Sequence, residues 1–271
     1  MGGRSQITVL NIGYRYADEV RADQRDGFMR GLSAAIRVEP AGIPTGPPEL
    51  TRDGHRSAEV PDGVMALLRW VDGYPLSGAN EHEQTLIGTT LGRAHRALRG
   101  APEVEPADAG DFPEWVDIDA PHLSIEDWIR PAVPTALAQY TECAATGLTS
   151  GPLHGDPALE AFLWAPAKQR CGLIDWSSAM HGPVLYDLAT AVMYVGGPTQ
   201  AGALLDAYTH TAALPAAEIT RGLDVLLRVR WAVQADYFSR RLAADDCTGI
   251  SEPAQNLVGL HDARDYFSSD G

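Results

Sequence analysis

His154-Gly155-Asp156 and Ile174-Asp175-Trp176 place two aspartates 19 residues apart, the first closing a glycine-bearing turn and the second ending a short apolar run. Carboxylates so placed suit phosphoryl transfer from a nucleotide. One orients the attacking hydroxyl or accepts its proton, and another holds the magnesium that bridges the phosphates. A catalytic loop and a metal-holding strand that fold back beside each other would supply both. Further on, Gly182-Pro183-Val184-Leu185-Tyr186-Asp187-Leu188-Ala189 sets a third aspartate just inside a helix start. A carboxylate is electrostatically favoured there, and Asp187 reads as an internal brace before a catalytic group.

Taken together and in order, HGDPALEAFLW (154–164), GLIDW (172–176) and GPVLYDLA (182–189) resemble the aminoglycoside phosphotransferase and choline kinase-like family, a small-molecule branch of the protein-kinase fold. A looser likeness extends over nearly the whole chain. The resemblance implies that Asp156 is catalytic, that Asp175 is a Mg²⁺ ligand and that ATP is the phosphoryl donor. It implies that His154 holds the loop by packing and hydrogen bonding and does not move a proton. It also implies that adenine lies against the hinge Leu68, Arg69, Trp70 and Val71, held through backbone groups.

The chain departs from the family pattern in three places. The family's second metal ligand, an asparagine, falls on Ala161, whose side chain cannot bind a metal. Glu160 beside it carries suitable oxygens and serves as a ligand if the loop shifts by one residue; otherwise it faces solvent. The strand lysine that holds the α- and β-phosphates has no counterpart, because Lys168 is the only lysine of the chain. Arg4, Arg15 or Arg21 is expected in its place, with Glu19 or Asp23 as the helix carboxylate; arginine binds phosphate with different geometry. The glycine-rich hairpin is also unmatched, so the nucleotide lobe is expected to be truncated.

The elements that must position these groups can be read from pattern and punctuation. Gln6–Ile12 reads as a strand and Ala17–Ile36 as a helix weakened by two glycines. Pro40–Pro48 is a loop. Arg56–Val60 and Val64–Val71 read as strands joined at Pro61-Asp62-Gly63. Ile87, Leu91, Ala94 and Leu98 recur at helical spacing within Glu81–Arg99. Ser124 and Asp127 suggest a capping box for a helix running to about Thr146. Strands follow near Ala161–Trp164 and Cys171–Asp175. Helices are expected at Leu185–Val195, Gln200–His210, Ala216–Ala244 (one face marked by Ile219, Leu223, Leu226, Val233 and Tyr237) and Asn256–Phe267. This is the α+β layout of a protein-kinase-like fold: a small sheet-bearing lobe, residues 1–72, and a larger, mainly helical lobe, residues 73–271.

Composition narrows the partners. A net charge of −15 makes nucleic acid a poor ligand and suits a cationic small molecule. No apolar run reaches the about 18 residues of a membrane span, and no secretory signal is visible. Cys143, Cys171 and Cys247 are widely spaced, which fits a reducing cytoplasm. Between Glu103 and Asp127 there are nine acidic residues and no Lys or Arg. That stretch is either a solvated loop or one wall of an acceptor cleft, with Trp115 and Trp128 as packing or ligand-facing groups. The expectation is an ATP- and Mg²⁺-dependent phosphotransferase acting on a hydroxyl of a small molecule, an antibiotic or another alcohol. The alternative is a non-catalytic, pseudokinase-like binding protein of the same fold.

Overall fold

The computed structural model describes residues 25–61, 63–99, 112–250 and 252–269, together with the backbone of 15–21. The expected strand Gln6–Ile12 lies outside these residues. The first described elements are β1 (Arg15–Arg21), α1 (Arg25–Val38), β2 (Ala58–Val60) and β3 (Gly63–Arg69). They form an antiparallel sheet in the order β1-β3-β2, with β1 paired along β3 from Arg15↔Arg69 to Arg21↔Gly63. On β3, Val64, Ala66 and Leu68 are buried while Leu67 and Arg69 are exposed, the period of two that a half-buried strand requires. The buried face packs against Phe28 and Leu32 of α1. Burying a side chain of that size stabilises by about 1.5–3 kcal/mol.

The helix expected from Ala17 is a strand up to Arg21, and α1 begins only at Arg25. Pairing along the whole of apolar β3 outweighs the local helical preference of Asp18-Glu19-Val20. The two glycines, Gly27 and Gly31, do fall inside α1, a helix that packing rather than propensity sustains.

Beyond Val71 the chain is mainly helical: α2 (Glu81–Arg99), α3 (Ile129–Ala144), α4 (Leu185–Tyr194), α5 (Gly202–His210), α6 (Ala216–Ala243) and α7 (Ala254–Ser269). This gives the α+β, protein-kinase-like architecture expected. Two small antiparallel sheets sit at its centre. One joins β4 (Tyr74–Pro75), β6 (Phe162–Ala165) and β7 (Arg170–Leu173), and the other joins β5 (Ser150–Leu153) and β8 (Met180–Pro183). The main core is shared by these strands with α2, α4, α5 and α6, and Ile87, Leu91, Phe162, Leu173, Leu185 and Leu226 are fully buried in it.

Local signals explain the clean start of α2. Asn80 Oδ1 accepts the Glu83 N–H at 3.0 Å, and Asn80 Nδ2 donates to Glu83 Oε1 at 3.1 Å. At α3 the expected capping box does not form. A 3-10 turn covers Pro121–Ser124, Ile129 starts the helix without a side-chain cap, and the Ser124 hydroxyl accepts a hydrogen bond from Arg130 Nε at 2.8 Å. On α6 the apolar stripe holds through Ile219, Leu223 and Leu226, but Tyr237 is exposed. Arg230, Asp236, Ser239 and Arg241 are buried on this helix instead, each with hydrogen-bond partners. Among the described residues, no helix is long and apolar enough to cross a membrane.

Candidate active site

β5 delivers the loop His154-Gly155-Asp156, and β7 delivers Asp175. The antiparallel pairing of β5 with β8, Leu153↔Met180, brings the segment after Asp175 back beside the loop. The approach is tight at Gly155, which has φ +90°. A Cβ there would lie 2.0 Å from the carbonyl oxygen of Ser178. Only glycine satisfies both the left-handed backbone and that separation.

Asp187, in the first turn of α4 and fully buried, holds the loop from beneath. Its Oδ2 accepts the His154 N–H at 2.7 Å and its Oδ1 accepts the Gly155 N–H at 2.9 Å. The imidazole of His95, on α2, reaches the same carboxylate, with Nε2 3.0 Å from Oδ2. The other His95 nitrogen lies 2.7 Å from the Tyr208 hydroxyl. Burial pushes the Tyr208 phenol above its ordinary range, so that group stays a donor. The consistent proton arrangement has Tyr208 O–H donating to His95 Nδ1 and His95 Nε2–H donating to Asp187. Three donors around one buried carboxylate offset much of its desolvation. The brace expected of Asp187 is thus observed. His95 and Tyr208 are further parts of it that the sequence reading did not single out.

His154 ties the loop sideways, as expected of a structural residue. Its Nε2 donates to the carbonyl of Ile174 at 2.9 Å, and its ring packs against Trp176 at 4.6 Å between centroids. Trp176 is anchored in turn, its indole N–H donating to the Leu173 carbonyl at 2.9 Å. Between Ile174 and Trp176, Asp175 is exposed and adopts φ +60°, ψ +63°. A non-glycine residue there costs of order 1–3 kcal/mol. The Ser177 hydroxyl donates to Asp175 Oδ1 at 2.7 Å.

Asp156 is partly open, its side chain 44% exposed. Its Oδ1 accepts from the Tyr194 hydroxyl at 2.9 Å and from Arg230 Nη2 at 3.3 Å. Among the described residues, no protein group donates to its other oxygen.

Ala161 is buried in the main core, with its carbonyl accepting the Ile174 N–H at 3.0 Å. The position that carries asparagine in the family is therefore an apolar packing position here. Glu160 lies in the 3-10 turn Leu159–Ala161 that precedes β6, and its side chain, like that of Asp175, is exposed. Among the described residues, no group of three or more His, Cys, Asp or Glu gathers to hold a metal. Magnesium does not require one: it keeps several waters and takes one or two carboxylates with substrate phosphates. The exposed carboxylate of Asp175 fits that donor chemistry.

At the hinge, Leu68 and Val71 are buried, Arg69 is exposed and Trp70 is 49% exposed. Segment 47–49 already occupies part of its backbone: Arg69 N–H donates to Pro47 at 3.1 Å and Leu67 accepts from Glu49 at 2.8 Å. Trp70 and Val71 lie beyond the strand pairing. Of the basic and acidic groups expected around the phosphates, Arg4 and Asp23 lie outside the described residues. Arg15, Glu19 and Arg21 are placed by backbone only, in β1. A different contact fixes α1. A Cβ on Gly31 would lie 2.2 Å from the Trp176 carbonyl oxygen, and Arg30 Nε donates to the Ala179 carbonyl at 3.2 Å. Close backbone packing, with Arg30, docks α1 onto the Asp175 loop.

The family model of the Phosphotransferase enzyme family matches residues 24–222, more than half of the chain, and includes Asp156, Asp175 and Asp187. The chain belongs to that family. Among curated proteins, none matches the sequence significantly. Solved structures agree in fold. An aminopropanol kinase associated with a microcompartment matches with TM-score 0.70 at 18% identity, covering 97% of this chain and 93% of that one. Amicoumacin kinase hAmiN, solved with AMP-PNP and Ca²⁺, matches with TM-score 0.67 at 14% identity, covering 97% and 88%. A choline/ethanolamine kinase family protein from Mesorhizobium loti matches with TM-score 0.65 at 20% identity, covering 93% and 82%. At these identities the likeness is one of fold.

Within the family frame, the sequence reading singled out Asp156, Asp175, His154 and Asp187 because they stand in ordered motifs. It missed Tyr194 and Arg230. Arg230 had only a weak signal, being one of two arginines, with Arg228, in the otherwise apolar run 226–233.

Proposed function

We propose that the chain transfers the γ-phosphoryl group of ATP to a hydroxyl of a small, amine-bearing molecule. The observation that carries this reading is the joining of the two aspartate loops by the bond from His154 to the Ile174 carbonyl, with Asp187 bracing the backbone of the Asp156 loop. Positioning of this kind supplies much of the catalysis in phosphoryl transfer.

In this reading residues 1–72 receive the nucleotide and residues 73–271 carry the chemistry and the acceptor. The free oxygen of Asp156 accepts the hydroxyl proton as the acceptor oxygen bonds to the γ-phosphorus. The bond from that phosphorus to the β,γ-bridging oxygen breaks, and ADP leaves. Asp175 would hold Mg²⁺, with Glu160 as the second carboxylate. The ion supplies charge neutralisation on the phosphate oxygens. Hinge residues Leu68, Arg69, Trp70 and Val71 would flank the adenine.

The amine preference rests on charge. The chain carries −15, and Glu114, Asp117, Asp119 and Asp127 are exposed, as is Trp115. The kinases of aminopropanol and of choline or ethanolamine that share the fold are named for amine-bearing alcohols. Buried Ala161 favours a second reading, a kinase-fold protein that binds a ligand without turnover.

A thermal-shift titration with ATP and Mg²⁺, on wild type and on Asp175→Ala, tests the nucleotide site. A ligand that binds only the folded state raises apparent stability by mass action. A Mg²⁺-dependent rise lost in Asp175→Ala is expected. No rise at millimolar ATP contradicts the reading.

A further inference from the structure

Arg230 lies on α6, 74 residues from Asp156, and its side chain is only 10% exposed. Burying a guanidinium is costly unless it is paired. The carboxylate with which it pairs is that of Asp156. The same Nη2 donates to the Tyr194 hydroxyl at 3.1 Å, and the guanidinium carbon lies 5.6 Å above the Tyr194 ring. Arg230 Nε is buried without a partner, so the bonding of this group is concentrated on its Tyr194–Asp156 edge. Burial pushes the Tyr194 hydroxyl up to about 12. At neutral pH that hydroxyl keeps its proton and donates it to Asp156. Two donors from two helices therefore converge on one oxygen of a carboxylate whose rotation is otherwise soft and two-fold.

Resting on the phosphotransferase reading above, we propose that Arg230 and Tyr194 are positioning residues for Asp156. By holding Oδ1 they fix the rotation of the carboxylate and reserve Oδ2 for the acceptor hydroxyl. Neither residue touches the reacting atoms. Their effect falls on turnover, because a catalytic group displaced by about 1 Å costs on the order of 100-fold in rate.

The test compares wild type with Tyr194→Phe, Arg230→Lys, Arg230→Ala and Tyr194→Phe/Arg230→Ala. Each is assayed with ATP, Mg²⁺ and whichever of aminopropanol, choline, ethanolamine or an aminoglycoside the wild type phosphorylates. Each single change is expected to lower kcat by about 10- to 100-fold, with the KM for ATP unchanged within about threefold. The double variant is expected to lose little more than the worse single, since both residues act on one oxygen. Guanidinium ion at low millimolar concentration is expected to restore part of the Arg230→Ala rate and none of the Tyr194→Phe rate. A purely structural role would not give that difference. If Arg230→Ala does not fold, Tyr194→Phe decides alone, because it keeps the ring and removes only the donor. An active wild type with kcat unchanged in Tyr194→Phe and Arg230→Lys overturns the positioning role and leaves the phosphotransferase reading standing. A wild type that transfers nothing and gains no stability from ATP and Mg²⁺ contradicts the underlying reading, and the positioning role falls with it.

Discussion

The imidazole of His154 donates to the carbonyl of Ile174 at 2.9 Å, so the residue two before Asp156 is tied to the residue just before Asp175. The two aspartates sit on separate loops, and this bond couples them. His154→Phe keeps the ring that packs on Trp176 but removes the donor and leaves a carbonyl unpaired. It is expected to cost about 1–3 kcal/mol of stability in urea unfolding. Phosphoryl transfer is expected to fall at least about tenfold through misplacement of one loop against the other. Unchanged values for both would show that the coupling is incidental.

Asp187 is the more expensive residue to lose. Asp187→Ala strands the N–H groups of His154 and Gly155 and the imidazole of His95, all buried. Breaking a buried, charge-assisted arrangement in this way costs about 3–5 kcal/mol. His95→Phe removes only one donor and is expected to cost less. Urea midpoints of the two variants, measured side by side, check the order.

Gly155→Ala and Gly31→Ala test the two close approaches. The first places a Cβ 2.0 Å from the Ser178 carbonyl oxygen at a residue with φ +90°, and the second places one 2.2 Å from the Trp176 carbonyl oxygen. Each requires backbone to move, so a loss of about 1–3 kcal/mol is expected. Gly155→Ala distorts the loop of Asp156, whereas Gly31→Ala shifts α1 on the Asp175 loop. Nucleotide-induced stabilisation is therefore expected to weaken in Gly31→Ala, as read by thermal shift. An alanine at either place that leaves melting and nucleotide response unchanged would contradict the packing described.

Much of this arrangement was legible in the sequence, and the remainder was hidden for identifiable reasons. α2 could be bounded because its apolar residues keep helical spacing, and the structure adds the Asn80–Glu83 cap that fixes its start. Asp156, Asp175 and Asp187 stood out because each ends or begins an element. β1 was misread because Asp18-Glu19-Val20 looks helical until β3 is there to pair with it. The capping box at Ser124 failed because Ser124 ends a separate 3-10 turn, where its hydroxyl accepts from Arg130. Tyr194 and Arg230 belong to different helices and meet Asp156 only in three dimensions. The stripe on α6 broke at Tyr237 because buried Asp236, Ser239 and Arg241 share the far half of that helix with its apolar contacts.

Alkaline pH is expected to destabilise the chain in a defined window. Burial raises the Tyr194 hydroxyl from 10.0 to about 12. The unfolded chain loses this proton near pH 10, and the folded chain keeps it to about pH 12. The unfolded state thus binds fewer protons in that interval, and stability falls as pH rises through it. This group accounts for at most about 2–3 kcal/mol. Burial displaces Tyr186 and Tyr208 in the same direction. Urea midpoints taken from pH 8 to 11.5 should decline less steeply in Tyr194→Phe than in wild type.

Thiol chemistry reports on the core. Cys143 and Cys171 are buried and Cys247 is exposed, all three free. Burial also pushes the Cys171 thiol up to about 11. A thiol reagent at pH 8 is expected to label Cys247 rapidly and the other two only on unfolding. Rapid labelling of Cys171 in native protein would mean that the β6–β7 region opens readily.

The central claim is that Asp156 serves a working phosphoryl-transfer site. The most direct measurement follows ATP by ³¹P NMR in the presence of Mg²⁺ and a panel of aminopropanol, choline, ethanolamine and aminoglycosides, with wild type and Asp156→Asn. The account predicts a new phosphate ester and an equal amount of ADP with wild type and at least one acceptor. It predicts a loss of at least about 100-fold with Asp156→Asn. Transfer that persists at the wild-type rate in Asp156→Asn, or none with any acceptor in wild type that binds ATP, would contradict it.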